Sequence, residues 1–266
     1  MPLIFQTFCS GSDGNCALVS DGTTHLLIDA GLTLKNAEAA LKNAGVHPGA
    51  LSAILVTHEH SDHVRGADLL SARYDLPIYA TGGTWVAMET RLVTKTPAKN
   101  RILFDKMDDF YIGDINVQPF GIPHDAADPV GYVLFSKGKR IVIATDMGYT
   151  NERFAKRVCD ADLILLESNY DPDMLQNGRY PARLKARIAG RHGHLSNQDS
   201  AQAMLGCIRQ GGVRRFVLGH LSHNNNTPEL ALRAYMAALS QEGLRMGMDI
   251  DVTVAPRLSP GERIEL

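Results

Sequence analysis

Short apolar runs bounded by turn residues fill the first half of the chain, at 3–8, 17–20, 25–28, 53–56 and 78–80. Their length and apolar character predict strands. Between them the apolar spacing turns helical, at 34–44, ending on Gly45, and at 62–73, stopping ahead of Leu76 and Pro77. A second strand-rich block covers 117–120, 130–135 and 141–144, with Lys137-Gly138-Lys139 as its hairpin turn. A strand at 163–166 then precedes polar sequence broken by Gly and Pro. Helical patterns follow at 182–189, 198–210 and 228–242, interrupted by a strand at 216–218. Two such blocks of alternating elements predict an α/β sandwich. With no short repeat, low-complexity tract or long linker, the expectation is a single domain over residues 1–266.

A chain of 266 residues, 44% hydrophobic, carries enough apolar material for the core of such a domain. A net charge of −2 gives no whole-chain electrostatic reason for a nucleic-acid or membrane partner, so local charge has to decide. The four cysteines, Cys9, Cys16, Cys159 and Cys207, form no C-x-x-C pair and read as reduced thiols. The N-terminus lacks a basic stretch ahead of an apolar run, and no segment approaches the roughly 18 apolar residues of a membrane helix. The expected location is therefore the cytoplasm, with no membrane partner.

The apolar strand Ile54-Leu55-Val56 runs into Thr57-His58-Glu59-His60-Ser61-Asp62-His63, which places three imidazoles and a carboxylate within six residues. Buried His and Asp carry a desolvation cost that a metal removes, so this spacing points to metal binding. A turn can present His58 and His60 to one ion and Asp62 and His63 to another about 3.5 to 4 Å away. Three further ligand types follow apolar strands: His124 after Phe120-Gly121-Ile122-Pro123, Asp146 after Ile141-Val142-Ile143-Ala144-Thr145, and His220 after Phe216-Val217-Leu218-Gly219. The resulting assignment is His58, His60 and His124 to the first ion, Asp62, His63 and His220 to the second, and Asp146 as the bridging carboxylate. Imidazole and carboxylate donors suit zinc, manganese or iron. Two cations sharing Asp146 would hold a bridging water and lower its pKa, making hydroxide the nucleophile at phosphorus or a carbonyl carbon.

With H-x-H-x-D-H, His124, Asp146 and His220 in this order, the sequence resembles the metallo-β-lactamase superfamily over nearly its whole length. The resemblance implies an αβ/βα sandwich, two mixed β-sheets flanked by helices, with the metals at one edge. Ser10-Gly11-Ser12-Asp13-Gly14-Asn15-Cys16, the stretches 57–66, 123–132 and 218–226, and Gly193-His194-Leu195-Ser196-Asn197 are similar to the YycJ/WalJ branch. That branch is associated with 5′-to-3′ exonuclease activity on double-stranded DNA, which implies a hydrolase, a DNA partner with a 5′ phosphate end, and two divalent ions, zinc or manganese foremost and iron as an option. The chain departs from other relatives by lacking the inserted domain of the β-CASP nucleases and the exosite arm of tRNA 3′-processing nucleases. The diiron oxygen-reducing relatives carry glutamate where this chain has His60, which favours hydrolysis over redox chemistry.

Asp62 and His194 are the expected catalytic residues. His194 precedes a helix that Ser196 or Asn197 can cap, near helix-start amides suited to phosphate, and is assigned a proton or hydrogen bond to the phosphate. The Gly-rich stretch from Ser10 through Ser12 to Asn15 is read either as a phosphate cradle or as a tight β-turn. Ser10, Ser12, Asn15, Ser196, Asn197, His223 and Asn225 are candidate substrate contacts, with Asn224 beside them; His223 to Asn225 either touch substrate or support His220, and read equally as a plain helix N-terminal loop ending at Thr227-Pro228. Between 179 and 215 the bases Arg179, Arg183, Lys185, Arg187, Arg191, Arg209, Arg214 and Arg215 face a single acid, Asp199. This run predicts a basic face for a nucleic-acid backbone. The rival readings are an RNA-processing nuclease, a hydrolase of thioesters, lactams or cyclic phosphates, and a non-catalytic nucleic-acid-binding protein.

Overall fold

A computed structural model describes residues 2–266, which fall into two compact units. The first holds the residues up to Gly121, Ala126–Lys139 and Pro256–Leu266; the second holds Ile122–Asp125 and Arg140–Ala255.

In the first unit the chain runs β1 (Ile4–Gly11), β2 (Gly14–Ser20), β3 (His25–Ile28), α1 (Leu34–Asn43), β4 (Ala53–Leu55), α2 (Ser61–Val64), α3 (Ala67–Tyr74), β5 (Ile78–Thr81), α4 (Gly82–Met88) and β6 (Arg101–Phe104), followed by β7 (Phe110–Ile112), β8 (Ile115–Gly121) and β9 (Val130–Ser136). β1, β2 and β3 pair antiparallel, and β3 to β6 pair in parallel, so this sheet is mixed. β7, β8 and β9 form an antiparallel meander. One apolar cluster holds the sheet to its helices: Phe8, Leu18, Leu27, Ile54 and Ile78 from the strands, Leu41, Leu70 and Trp85 from the helices. Lys137 and Gly138 have φ of 53° and 77° and make the turn, whereas Lys139, expected as its third residue, already begins the next strand.

The second unit runs β10 (Lys139–Ala144), α5 (Glu152–Val158), β11 (Leu163–Glu167), α6 (Pro172–Asn177), α7 (Ala182–Ile188), α8 (Asn197–Gln210), β12 (Arg215–Gly219), α9 (Pro228–Gln241) and β13 (Asp251–Val254). The final strand, β14 (Ile264–Glu265), pairs with β1 in the first unit. β10 to β13 are all parallel. β11 is buried along its whole length, which explains its unbroken apolar run. Ser196, not Asn197, caps α8, accepting from the Asp199 amide; Thr227 caps α9 ahead of Pro228.

The helix expected over 62–73 is two helices. The backbone breaks at Gly66, whose amide donates to the Ala30 carbonyl (2.8 Å) and where an added Cβ would lie 2.3 Å from the Leu32 carbonyl oxygen. Gly31 is equally confined, because a Cβ there would meet the Asp62 carbonyl at 1.7 Å. The segment after β3 and the H-x-H-x-D-H loop are thus pressed backbone to backbone, with the Ala30 amide on the His63 carbonyl (2.7 Å). A long helix would have carried Asp62 and His63 away from that segment.

All four cysteines are free thiols. Burial pushes the Cys9 and Cys207 thiols up to about 12 and raises Cys16 as well, whereas Cys159 is only partly buried. Near neutral pH, alkylation by a maleimide is expected at Cys159 first, with the other three labelled only on unfolding. Rapid labelling of all four in the folded protein, read by mass spectrometry, would contradict this packing.

Candidate metal centre

In the first unit, β4 is fully buried and delivers the chain through Val56 and Thr57 to His58. His58 and His63 are buried, and His60 and Asp62 are half-buried. The His58 ring lies 4.6 Å from that of His60 and 4.1 Å from that of His63, centroid to centroid. Asp29, the residue after β3, fixes both ends of this loop. One of its carboxylate oxygens accepts from the Thr57 amide (2.8 Å); the other accepts from the Thr57 hydroxyl (2.9 Å) and from His63 Nδ1 (2.8 Å). With Nδ1 holding the proton, the His63 Nε2 lone pair is turned towards Asp62 (3.5 Å) and the side-chain amide of Asn15 (3.0 Å). Asn15 also donates to Asp62 Oδ2 (3.3 Å) and exchanges hydrogen bonds with the Gly11 backbone.

In the second unit the candidate side chains gather at the C-terminal ends of the parallel strands, where open α/β sheets bind ligands. Asp146 follows β10, Glu167 ends β11 and His220 follows β12. Asp146 lies 3.4 Å from His220 Nδ1, 3.7 Å from His124 Nε2 and 3.8 Å from His194 Nδ1. Glu167, wholly buried, accepts from His194 Nδ1 and His220 Nδ1 (2.8 Å each) and from the Met147 and Leu195 amides (2.9 and 3.0 Å). Burial opposes its ionisation, yet the two imidazoles outweigh that and hold its carboxyl well below the usual range. His124 Nδ1 faces the Gly193 carbonyl (3.1 Å), and burial lowers its pKa below 6.5, which keeps the ring neutral. Asn169 donates to the His220 carbonyl (2.8 Å).

Three of these residues adopt left-handed backbone: Asp29 (φ 57°), Asp146 (φ 61°) and His220 (φ 56°). Such conformations are uncommon outside glycine and persist where the surroundings over-determine them. Here each re-aims a polar side chain immediately beyond a buried strand.

The expected substrate contacts divide by exposure. Ser12 and His223 are exposed. Ser10, Asn15, Ser196, Asn197 and Asn225 are buried. Ser196 is spent on the α8 cap, and Asn197 bonds Asn226 (2.9 Å) and Ser168 (2.7 Å). Asn224 reaches the Tyr180 hydroxyl (2.8 Å). The Ser10–Asn15 stretch is a tight hairpin joining β1 to β2. The basic run also divides. Arg209 at the end of α8, Arg214 and Arg215 sit at the N-terminal edge of the parallel strands, opposite to His220, and Arg209 and Arg215 are paired with Glu242 and Asp251. Only Arg179 to Arg191 lie on the segment that leads to His194; there the His194 amide bonds the Ile188 carbonyl at the end of α7 (2.8 Å). A single basic face from 179 to 215 is therefore corrected to this shorter one. Asp29, Glu167 and Asn169 were not among the sequence candidates, although the first two carry a readable signal: an acid placed directly at the end of an apolar strand.

A family profile described as "Beta-lactamase superfamily domain" matches residues 24–221. The chain belongs to the metallo-β-lactamase superfamily. It is 39% identical over 252 residues to a Bacillus anthracis protein named exodeoxyribonuclease YycJ, covering 95% of both chains. It is 38% identical over 249 residues to exodeoxyribonuclease WalJ of Streptococcus pneumoniae serotype 2, covering 93% of this chain and 92% of that one. The crystal structure of zinc-bound PqqB from Methylobacterium extorquens matches with a TM-score of 0.70 at 20% identity, covering 99% of this chain and 100% of that one. The fold is that of the superfamily, two mixed β-sheets flanked by helices, and the protein is a hydrolase of it.

The superfamily fold implies divalent metal, and the side chains fit one. In His63, His124, His194 and His220 a protein oxygen lies within hydrogen-bond distance of Nδ1, which orients each ring, and in His63, His124 and His220 Nε2 is then the atom that would meet a metal. In the second unit, atoms of Asp146, Glu167, His194 and His220 lie within 4.8 Å of one another.

Proposed function

We propose that this protein is a two-metal phosphodiesterase that shortens double-stranded DNA from a 5′ phosphate end, in the cytoplasm. His58, His60 and His124 would hold one ion and Asp62, His63 and His220 a second, with Asp146 available to either; the donor set suits zinc or manganese, with iron also accommodated. When bound, two such ions supply Lewis-acid activation of water and neutralise charge on the scissile phosphate. Asp29 and Glu167 keep the ligand imidazoles in one tautomer. His194, held through Nδ1 by Glu167, acts as an imidazolium: its Nε2–H hydrogen-bonds the phosphate and passes that proton to the leaving oxygen, and solvent restores it between turnovers.

The observation that carries a nucleic-acid substrate is α7. This helix buries none of its residues and presents Arg183 and Lys185, flanked by Arg179 and Arg191, on the segment that ends in His194, while its Arg187 is paired with Asp125. A helix with nothing buried gains little from packing, and its charge fits a polyanion whose contacts are salt-dependent. The names of the two relatives support DNA. Exposed Ser12 and His223 are the residues left to touch substrate, while Ser10, Asn15, Ser196, Asn197 and Asn225 hold the loops that frame it.

The test is a substrate panel: duplex DNA, RNA of equal length, and chromogenic lactam and thioester compounds, with the metal-loaded protein. Duplex DNA is expected to be degraded fastest. His194→Ala is expected to slow that reaction about 10²- to 10⁴-fold with metal content unchanged. Turnover confined to the compact substrates would replace this reading with a small-molecule hydrolase, and an unchanged His194→Ala rate would remove the assigned proton donor.

A further inference from the structure

The turn between β1 and β2 exposes Ser12 and Asp13, and two arginines from distant parts of the sequence converge on it. Arg65, which ends α2, donates Nη1 to the Asp13 carbonyl (3.1 Å). Arg257, in the tail beyond β13, donates Nη2 to the Asp13 carboxylate (2.7 Å). Arg65 follows Asp62 by three residues, a spacing that places both on one side of a helical turn. Asn15, paired with Ser10 at the same turn, donates its side-chain amide to Asp62 Oδ2 (3.3 Å). The turn therefore stands beside Asp62 and carries two positive charges against the single negative charge of Asp13.

Each guanidinium has five N–H donors in a planar fork suited to phosphate. The Asp13 contacts take one donor from Arg65 and one from Arg257. The Arg257 Nε is buried and meets no acceptor among the described residues.

We propose that Arg65 and Arg257 form a phosphate clamp for the DNA backbone beside Asp62, with Asp13 as the internal anion that holds both arginines in place and competes with the phosphate. The clamp rests on the nuclease reading and deepens it: it is separate from α7 and gives the β1–β2 turn a role in gripping the strand. It also accounts for Ser12, whose exposed hydroxyl stands on the same turn.

The alternative is a staple, in which the two arginines merely fasten the hairpin tip to the fold. Removing the Asp13 charge separates the two, because the effects have opposite signs. Asp13→Asn keeps an acceptor for each arginine but removes the competing anion. Under the clamp it strengthens DNA binding; under the staple it weakens the turn and leaves binding unchanged or poorer.

Binding of a fluorescent 5′-phosphorylated duplex is measured by anisotropy with chelator present, across a series of salt concentrations, so that no turnover is needed. Arg65→Gln/Arg257→Gln is expected to weaken binding roughly tenfold per arginine. It should flatten the slope of log affinity against log salt by about 0.9 for each phosphate no longer neutralised. Asp13→Asn is expected to bind more tightly than the parent. Arg209→Gln, which removes one charge at the N-terminal edge of the parallel strands of the second unit, is expected to leave the slope unchanged. Thermal melts of each variant verify folding, and Arg257→Lys should retain most of the slope. A double variant with the parent slope, or weaker binding by Asp13→Asn, overturns the clamp while duplex cleavage by the parent leaves the nuclease reading standing. A parent protein that neither binds nor shortens duplex overturns the nuclease reading and the clamp with it.

Discussion

Asp62→Ala is expected to lower kcat/KM on duplex DNA by at least about three orders of magnitude, the scale seen when a member of a catalytic unit is removed, while the protein stays folded. Asp62 is the acid in the first turn of α2, and its side chain retains 20% exposure. Its contacts include the Asn15 amide at 3.3 Å and His63 Nε2 at 3.5 Å, neither of which holds the core together. Losing a first-turn acid costs a helix about 0.3 to 1 kcal/mol. A large activity loss with a small change in melting temperature is the signature of a functional carboxylate. Single-turnover kinetics beside thermal melts read both, and a variant that keeps its rate would remove Asp62 from the mechanism.

Glu167→Gln should act on two rings at once. The carboxylate accepts from His194, His220 and two backbone amides and has no exposed surface. His194 and His220 share one carboxylate oxygen and the two backbone amides share the other. An amide of the same shape therefore turns its NH2 on one of these two donor pairs, and with the backbone amides satisfied both imidazoles lose the partner that fixes their tautomer. Loss of such an orienting group costs about 10- to 100-fold in metal affinity or activity, and because both histidines depend on it the larger figure is expected. Metal content by mass spectrometry should fall together with kcat. An enzyme with parent metal content and rate would contradict the orienting role.

The same carboxylate sets a pH dependence in the metal-free protein. Its folded pKa lies below the ordinary 4.5, so the stability it contributes is complete above that value and is lost as pH falls through the folded value. His124 acts in the same direction. Its folded pKa lies below 6.5, so protonation favours the unfolded chain once pH drops under 6.5. Denaturant titrations of chelated protein should show stability declining from pH 7 towards acid.

Much of this was legible in the sequence, and the failures have physical causes. The buried strands announce themselves because parallel strands covered on both faces are continuously apolar; β11 is the clearest instance. The four-ligand cluster is readable because such residues are costly to place after an apolar strand without a purpose. β6 and β7 are half-exposed and β14 is two residues long, so they carry too little apolar pattern. The break at Gly66 is set by the Ala30 and Leu32 carbonyls, which are remote in sequence. The basic run divides because α8 spans the distance between its two halves, and charge counted along a chain says nothing about which end of a helix each base occupies. Glu167 lay one residue past a recognised strand, yet a lone acid there gains meaning only when His194 and His220 converge on it.

The most direct measurement is digestion of duplex DNA labelled at one end or the other and carrying a 5′ phosphate, by protein loaded with Mn²⁺ or Zn²⁺, alongside His60→Ala. Stepwise shortening from the 5′ phosphate end, absent in the variant, is the result expected of a two-metal exonuclease. Intact duplex after full metal loading, or equal shortening by His60→Ala, would contradict it.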